Sequence, residues 1–237
     1  MVGLGTIVNV AAIAVGGLAG TIGGKLIPER LQKTLMSAMG VSVLFVGLSG
    51  ALSQMLYVAG GTIGVQGTMM MILSFAIGAV LGELLNLEDR MERFGAWLKV
   101  KTKSESDGGF ISGFVTASLT VSIGAMAVVG AIQDGIIGDH ATLFAKAVLD
   151  MVIVMVMAAS MGKGCIFSAI PVGILQGCVT LLARLLQPVF TQDALANLSL
   201  VGSVMVFCVG VNLVWGKKIR VANLLPALLV AVLWAFL

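Results

Sequence analysis

Apolar stretches long enough to cross a bilayer recur from one end of the sequence to the other, at residues about 3–24, 34–57, 67–86, 110–138, 141–162, 165–186, 196–215 and 221–237. A spanning helix needs roughly 20 predominantly apolar residues to cross a ~30 Å hydrocarbon core. In lipid every backbone polar group must be satisfied internally, and a helix does this within one segment. The expected fold class is therefore all-α, a polytopic transmembrane helix bundle of about eight spans. The last run is short, which leaves about seven as the alternative count. No basic segment precedes the first run, so it reads as an uncleaved span rather than a signal peptide.

Composition closes off the other classes. The chain is 59% hydrophobic and 11% charged, whereas soluble domains carry about 25% charged residues, so a soluble globule is excluded. Glycines number 31 against 4 prolines, which places most glycines inside helices, at close helix contacts, rather than in turns. One histidine, three cysteines and one tyrosine are poor material for a metal cage, a disulfide framework or a base-stacking platform. No metal, no cofactor and no nucleic-acid partner is expected. Cys165, Cys178 and Cys208 read as small hydrophobes in apolar runs.

The charges fix an orientation. Twelve of the 14 basic residues fall in alternate connections: Lys25, Arg30 and Lys33; Arg90, Arg93, Lys99, Lys101 and Lys103; Lys163; and Lys217, Lys218 and Arg220. Short basic loops stay on the cytoplasmic side. The opposite connections, at 57–66, 139–140 and 191–197, hold acids and no base. Both termini are expected outside the cytoplasm, and the clean alternation favours eight spans.

Between the third and fourth spans, Leu84, Leu87, Met91, Phe94 and Leu98 recur at helical spacing, with Glu88, Asp89, Arg90, Glu92 and Arg93 on the other face. This predicts an amphipathic helix at the cytoplasmic interface, with Trp97 as its anchor. Residues 99–109, rich in charge and ending in Gly-Gly, predict a flexible linker.

Internal similarity suggests duplication. Ala12 to Gly17 resembles Ala125 to Gly130 at an offset of 113, Leu31 falls opposite Leu143 at 112, and Gln66-Gly67 falls opposite Gln176-Gly177 at 110. Copies of three spans each face opposite ways, and such inverted repeats build many secondary transporters, with the substrate site at the midplane. The expected organisation is one transmembrane domain over 1–237: a first repeat at 1–86, the amphipathic helix and linker at 87–109, a second repeat at 110–190, and two C-terminal spans at 191–237. A second register pairs Phe45-Val-Gly47 with Cys208-Val-Gly210, relating spans two and three to seven and eight.

An ion at the centre of a membrane helix costs roughly 2.5–3.5 kcal/mol by insertion scales, so intramembrane charges default to functional candidates. Asp150 falls about 14 Å into its span at ~1.5 Å per residue. Lys146 lies one turn before it on the same face, where the two can neutralise each other. An internally satisfied pair and an ion-accepting carboxylate both fit this spacing. Glu83 ends the third span and Asp134 lies toward the outer end of the fourth, a long glycine-rich run expected to be kinked or broken. Asn9, Gln66, Ser122 and Gln176 complete the polar set. The spacings Gly16-x-x-x-Gly20-x-x-x-Gly24 and Gly78-x-x-x-Gly82 allow close helix packing, within the monomer or across a homodimer. No nucleophile and base pair or phosphate-binding loop is visible, so no catalytic residues are expected.

Several segments carry a resemblance over essentially the whole chain. They are Gly3 to Asn9 with Gly16-Gly17 and Pro28-Glu-Arg30; Gly124 to Gly130 with Asp134-Gly135 and Gly138-Asp139; Lys146 to Asp150; Ser168-Ala169; Gln176-Gly177; and Lys217 to Pro226. Together they resemble the YqgA/YdfK-like family of bacterial inner-membrane proteins. The sequence departs at Thr120-Val-Ser122, where relatives often carry Phe-Cys-Val. The resemblance implies a multi-pass protein of the bacterial cytoplasmic membrane and says little of activity, since the family is described as of unknown function and sometimes as a transport protein. The expected function is a secondary transporter or channel-like carrier for an ion or small polar solute. The alternative is a membrane scaffold that docks a partner through the amphipathic helix.

Overall fold

A computed structural model describes residues 2–24, 26, 28–123 and 125–237. Lys25, used above in the first basic loop, and Gly124, in the fourth span, lie outside the described residues. In chain order the elements are α1 (Leu4–Gly24), α2 (Glu29–Met55), β1 (Leu56–Ala59), β2 (Thr62–Val65), α3 (Thr68–Leu85), α4 (Leu87–Lys101), α5 (Phe110–Ser122), α6 (Ala125–Ile137), α7 (Ala141–Met161), α8 (Ala169–Leu181), α9 (Ala183–Leu186), α10 (Gln192–Trp215) and α11 (Pro226–Trp234). Short 3-10 turns, Lys163–Ser168 and Val221–Leu224, precede α8 and α11.

The protein is a helical membrane protein. Among the described residues, 6 helices are long and apolar enough to cross a bilayer: Leu4–Gly24, Met36–Met55, Thr68–Leu85, Ala141–Met161, Lys163–Leu181 and Gln192–Trp215. The fourth run is broken as expected, into α5 and α6, which meet at 61°; counted as one span, this pair makes up to 7. The eighth run forms only a shorter apolar helix, Val221–Trp234. Large apolar side chains such as Ile22, Phe45, Val80, Val148 and Leu229 stay exposed on the helices, as suits elements whose outer faces meet lipid.

The 57–66 connection, expected as a loop, is an antiparallel hairpin pairing Leu56 with Val65 and Ala59 with Thr62. Gly60 and Gly61 have φ of 58° and 79°, the pair of positive values that a two-residue type I′ turn requires.

The chain groups into two compact units, one of residues 1–39, 89–122 and 126–186, the other of 40–88, 123–125 and 187–237. In the first, α1 packs against α7 and the two run the same way. Gly16, Gly20 and Gly24 lie so close to the carbonyls of Met151, Met155 and Ala159 that a Cβ would have no room. The small-residue stripe is thus occupied within the chain. Helix α8 runs opposite to α1, with Thr6 meeting Thr180 and Asn9 meeting Gln176. Around these helices Ile13, Phe110, Phe114, Leu143, Val154 and Val172 form the buried core.

The amphipathic helix appears as α4, with one part of its apolar face on protein and Trp97 and Val100 exposed. Phe94 sits 5.7 Å from both Trp97 and Phe114, and Leu98 is buried. The segment expected as a flexible linker is anchored. Asp107 accepts from the Gly109 N–H at 3.1 Å and from the Lys163 N–H at 2.9 Å, and Ser104 is buried.

In the second unit, α2 and α10 run antiparallel, with Gly47 against Phe207, Gly50 against Ser203 and Gly210 against Leu44. Helices α3 and α11 are also antiparallel, with Gly78 against Ala227 and Gly82 against Asn223. Ala51, Met70, Leu200, Val201, Ala227 and Ala231 form its core.

Candidate functional site

Four of the expected site residues converge in the first unit. Lys146 and Asp150 are one turn apart on α7, and the Lys146 ammonium lies 2.9 and 2.8 Å from the two carboxylate oxygens. Its third hydrogen bond, at 2.7 Å, goes to the carbonyl of Val121. Val121 sits in the last turn of α5, where carbonyls lose their intrahelical partners, so the break in the fourth span exposes the oxygen that the lysine uses. Opposite-sign neighbours, not solvent, satisfy both charges: Lys146 is 8% exposed and Asp150 3%.

Asn9 on α1 donates from Nδ2 to Asp150 Oδ2 at 3.1 Å and to Gln176 Oε1 at 3.3 Å. The carboxylate accepts only, so it fixes the Asn9 amide with nitrogen inward, and Asn9 in turn fixes the Gln176 amide. Both residues are buried. The consequence is that Asn9 Oδ1 and Gln176 Nε2 have no hydrogen-bond partner among the described residues, and the buried Ser118 and Ser122 hydroxyls have none either. Native interiors pair almost all such groups, through protein or through ordered water. One turn toward the start of α1, the Thr6 and Thr180 hydroxyl oxygens lie 3.5 Å apart.

Asp134 belongs to this unit but forms a different cluster. Fully buried, it accepts from the Gly3 N–H at 2.9 Å and the Gly5 N–H at 3.1 Å, and its Oδ1 lies 3.0 Å from His140 Nδ1. A carboxylate at the start of α1 meets unpaired N–H groups and the positive end of the helix dipole, so its evident task is to clamp that helix to α6.

Gln66 and Glu83 lie in the second unit, within local networks of their own. Gln66 is exposed and donates to the Gln54 carbonyl at 3.3 Å. It lines a cavity of about 340 Å³ with Gln54, Asp193, Asn197 and Trp234. Glu83 pairs with Arg220 at 2.8 Å and hydrogen-bonds Asn223. Glu88, assigned from periodicity to the wet face of the amphipathic helix, is instead 3% exposed. It accepts from the Ala222 N–H at 2.9 Å and meets Lys217 at 3.0 Å, tying the start of α4 to the turn before α11.

Thr6, Thr180 and the Val121 carbonyl were not foreseen. Threonines are common in membrane helices and carry no signal of their own, while a backbone acceptor has no residue type to betray it. Among the described residues no group of three or more His, Cys, Asp or Glu could hold a metal ion.

A multi-pass helical membrane protein with a buried Lys–Asp pair beside a broken helix is the class that these features define. The chain belongs to the DUF554 family, described as a protein of unknown function, which it matches over residues 4–236. It is 29% identical over 226 residues to the uncharacterized membrane protein YdfK of Bacillus subtilis, covering 95% of this chain and 93% of the relative. It is 28% identical over 232 residues to the uncharacterized protein YqgA of Escherichia coli, covering 96% and 94%. No solved structure matches the chain.

Proposed function

We propose that this protein is a small secondary carrier of the bacterial cytoplasmic membrane, moving an ion or small polar solute, with Asp150 as its switchable charge. The observation that carries the proposal is the seat of the Lys146 ammonium among three oxygens, the Val121 carbonyl and both oxygens of Asp150. A positive charge held by a carboxylate and a helix-end carbonyl is chemically a cation site filled by a tethered cation. A proton or metal cation arriving at Asp150 would displace the lysine. The unused valences of Asn9, Gln176 and Ser122 would then serve the incoming group. Broken helices are tolerated in membranes where the freed backbone meets protein or a watered cavity, and carriers place their sites there.

Helix directions support eight crossings with both termini outside. If α1, α2 and α3 each cross, α7 can run parallel to α1 only if the bent pair α5 and α6 also crosses. The antiparallel pairings of α8 with α1, α10 with α2, and α11 with α3 suit the same alternation. In this proposal the short α11 completes the count with its preceding turn.

The test is ion-coupled flux in proteoliposomes. Asp150→Asn should abolish flux while the protein elutes and melts as a folded species; undiminished flux contradicts the proposal. A second proposal, a membrane scaffold, draws on the closure of the pair, whose ammonium spends all its donors internally. Here the exposed Trp97 and Val100 on α4 would dock a partner. Trp97→Ser with Val100→Ser separates the two, because a carrier keeps its flux and a scaffold loses its partner.

A further inference from the structure

The three antiparallel pairings have a counterpart in the sequence. Ala12-Ile-Ala-Val-Gly-Gly-Leu-Ala-Gly20 aligns with Ala169-Ile-Pro-Val-Gly-Ile-Leu-Gln-Gly177 at an offset of 157, with six of nine residues identical. Pro28 then falls opposite Pro188 at 160, and Val41-Ser-Val-Leu-Phe-Val-Gly47 opposite Val204-Met-Val-Phe-Cys-Val-Gly210 at 163. Ala79-Val-Leu81 falls opposite Ala231-Val-Leu233 at 152. The drop in offset falls between α2 and α3 in the first copy and between α10 and α11 in the second, where the connections 56–67 and 216–225 are of similar length and α11, at 9 residues, is half as long as α3, at 18.

Packing obeys the same correspondence. At the 163 offset, Leu44 is the mate of Phe207 and Gly47 of Gly210; Gly47 packs on Phe207 and Gly210 packs on Leu44. The contact is therefore its own mirror under exchange of the copies. At the 157 offset, Gly173 packs on Val10 and Gly17 on Ile166, again mates to within one residue. Antiparallel packing by itself keeps such mates together, so the packing agrees with the duplication while the aligned residues carry it, with glycine on both sides of the α2–α10 contact.

We infer that spans one to three and six to eight are inverted copies, with α5, α6 and α7 inserted between them, and that the seam between α1 and α8 is the moving contact of the carrier. This rests on the carrier proposal above. Inverted copies can exchange conformations, so contacts at the middle of the seam persist with their mates, while a contact at one end whose mate is unmade here has that mate made in the other state. Thr6 with Thr180 is a closed contact at 3.5 Å; its mate at the 157 offset is Gly23 with Lys163. That mate is open here. A Cβ on Gly23 would meet nothing within 4 Å, and a cavity of about 520 Å³ bounded by Thr21, Gly24, Asp107 and Lys163 lies at the same end. Thr6 and Thr180 are thus the outer gate, shut, in a state open toward the cytoplasm. Lys146 and Asp150, on the inserted α7, are the load against which the seam closes.

The experiment is disulfide trapping in native membrane vesicles, in a Cys178→Ser, Cys208→Ser background that keeps the buried Cys165. Thr6→Cys with Thr180→Cys, and separately Gly23→Cys with Lys163→Cys, are oxidised and the linked peptides identified by mass spectrometry. Both pairs should link, and in the protein carrying all four substitutions, locking the first pair should abolish the second. Should Gly23→Cys fail to fold, judged by elution in detergent, Thr21→Cys with Lys163→Cys reads the same approach. A folded protein in which the first pair links fully and neither cytoplasmic pair ever does overturns the inference. If both link while Asp150→Asn flux is undiminished, the seam stands and the Asp150 assignment alone falls.

Discussion

The ammonium of Lys146 donates to the carbonyl of Val121 at 2.7 Å, joining the second turn of the unbroken α7 to the last turn of α5, at the break in the fourth run. A helix-end carbonyl in lipid needs a donor, and a lysine in lipid needs acceptors. Each meets the other's need, and Asp150 neutralises what remains. Removing one member should cost more than removing both.

Lys146→Met alone leaves Asp150 buried and uncompensated, and breaking such a pair typically costs about 3–5 kcal/mol. Lys146→Met with Asp150→Leu should recover most of that loss. Melting of the purified proteins in detergent measures it. A double variant no more stable than the single one would mean that the pair does not act as a unit.

Glycines of one helix should respond oppositely to the same change. At Gly20 a methyl group meets the Met155 backbone, which cannot retreat, whereas at Gly23 it meets nothing. Gly20→Ala should destabilise by roughly 1–3 kcal/mol through overpacking. Gly23→Ala should be neutral or gain up to about 1 kcal/mol from helix propensity.

Asp107 should control the segment before α5. Asp107→Ala removes acceptors for the Gly109 and Lys163 N–H groups, each a charge-assisted bond worth roughly 1.5–3 kcal/mol. Trypsin should then cut after Lys101 and Lys103 many times faster than in the unaltered protein. An unchanged digestion rate would restore the flexible linker expected from composition.

Orientation can be read with a membrane-impermeant maleimide on intact cells. Thr62→Cys in the hairpin should label from outside, and Lys101→Cys only after permeabilisation. The reverse pattern would invert the proposed topology.

Much of the fold was legible because lipid enforces simple rules. Span length and apolarity marked the six helices long enough to cross, and the glycine-rich fourth run declared its break, while the last run gave only a shorter helix. What escaped was set by tertiary partners. Glu88 follows a helical charge pattern, yet the turn before α11 buries it. Residues 102–109 look unstructured until Asp107 finds the Lys163 N–H. Of the site, Asn9, Lys146, Asp150 and Gln176 were named from polarity alone, and the structure brings these four together. Glu83 and Gln66 satisfied the same criterion but serve local clamps, since polarity in a membrane run identifies a need for partners and not the partners themselves.

Whether an ion from water reaches Asp150 can be read at its neighbour Asn9, which donates to the carboxylate at 3.1 Å. With Asn9→Cys in the Cys178→Ser, Cys208→Ser background, vesicles are exposed to a small cationic methanethiosulfonate from the cytoplasmic side and modification is followed by mass. The cysteine should react, and more slowly when the outward-facing state is trapped through Gly23 and Lys163. A folded protein that never reacts, with the reagent on the cytoplasmic side or on both, would mean that the Lys146–Asp150 pair is sealed and structural and that no ion passes it.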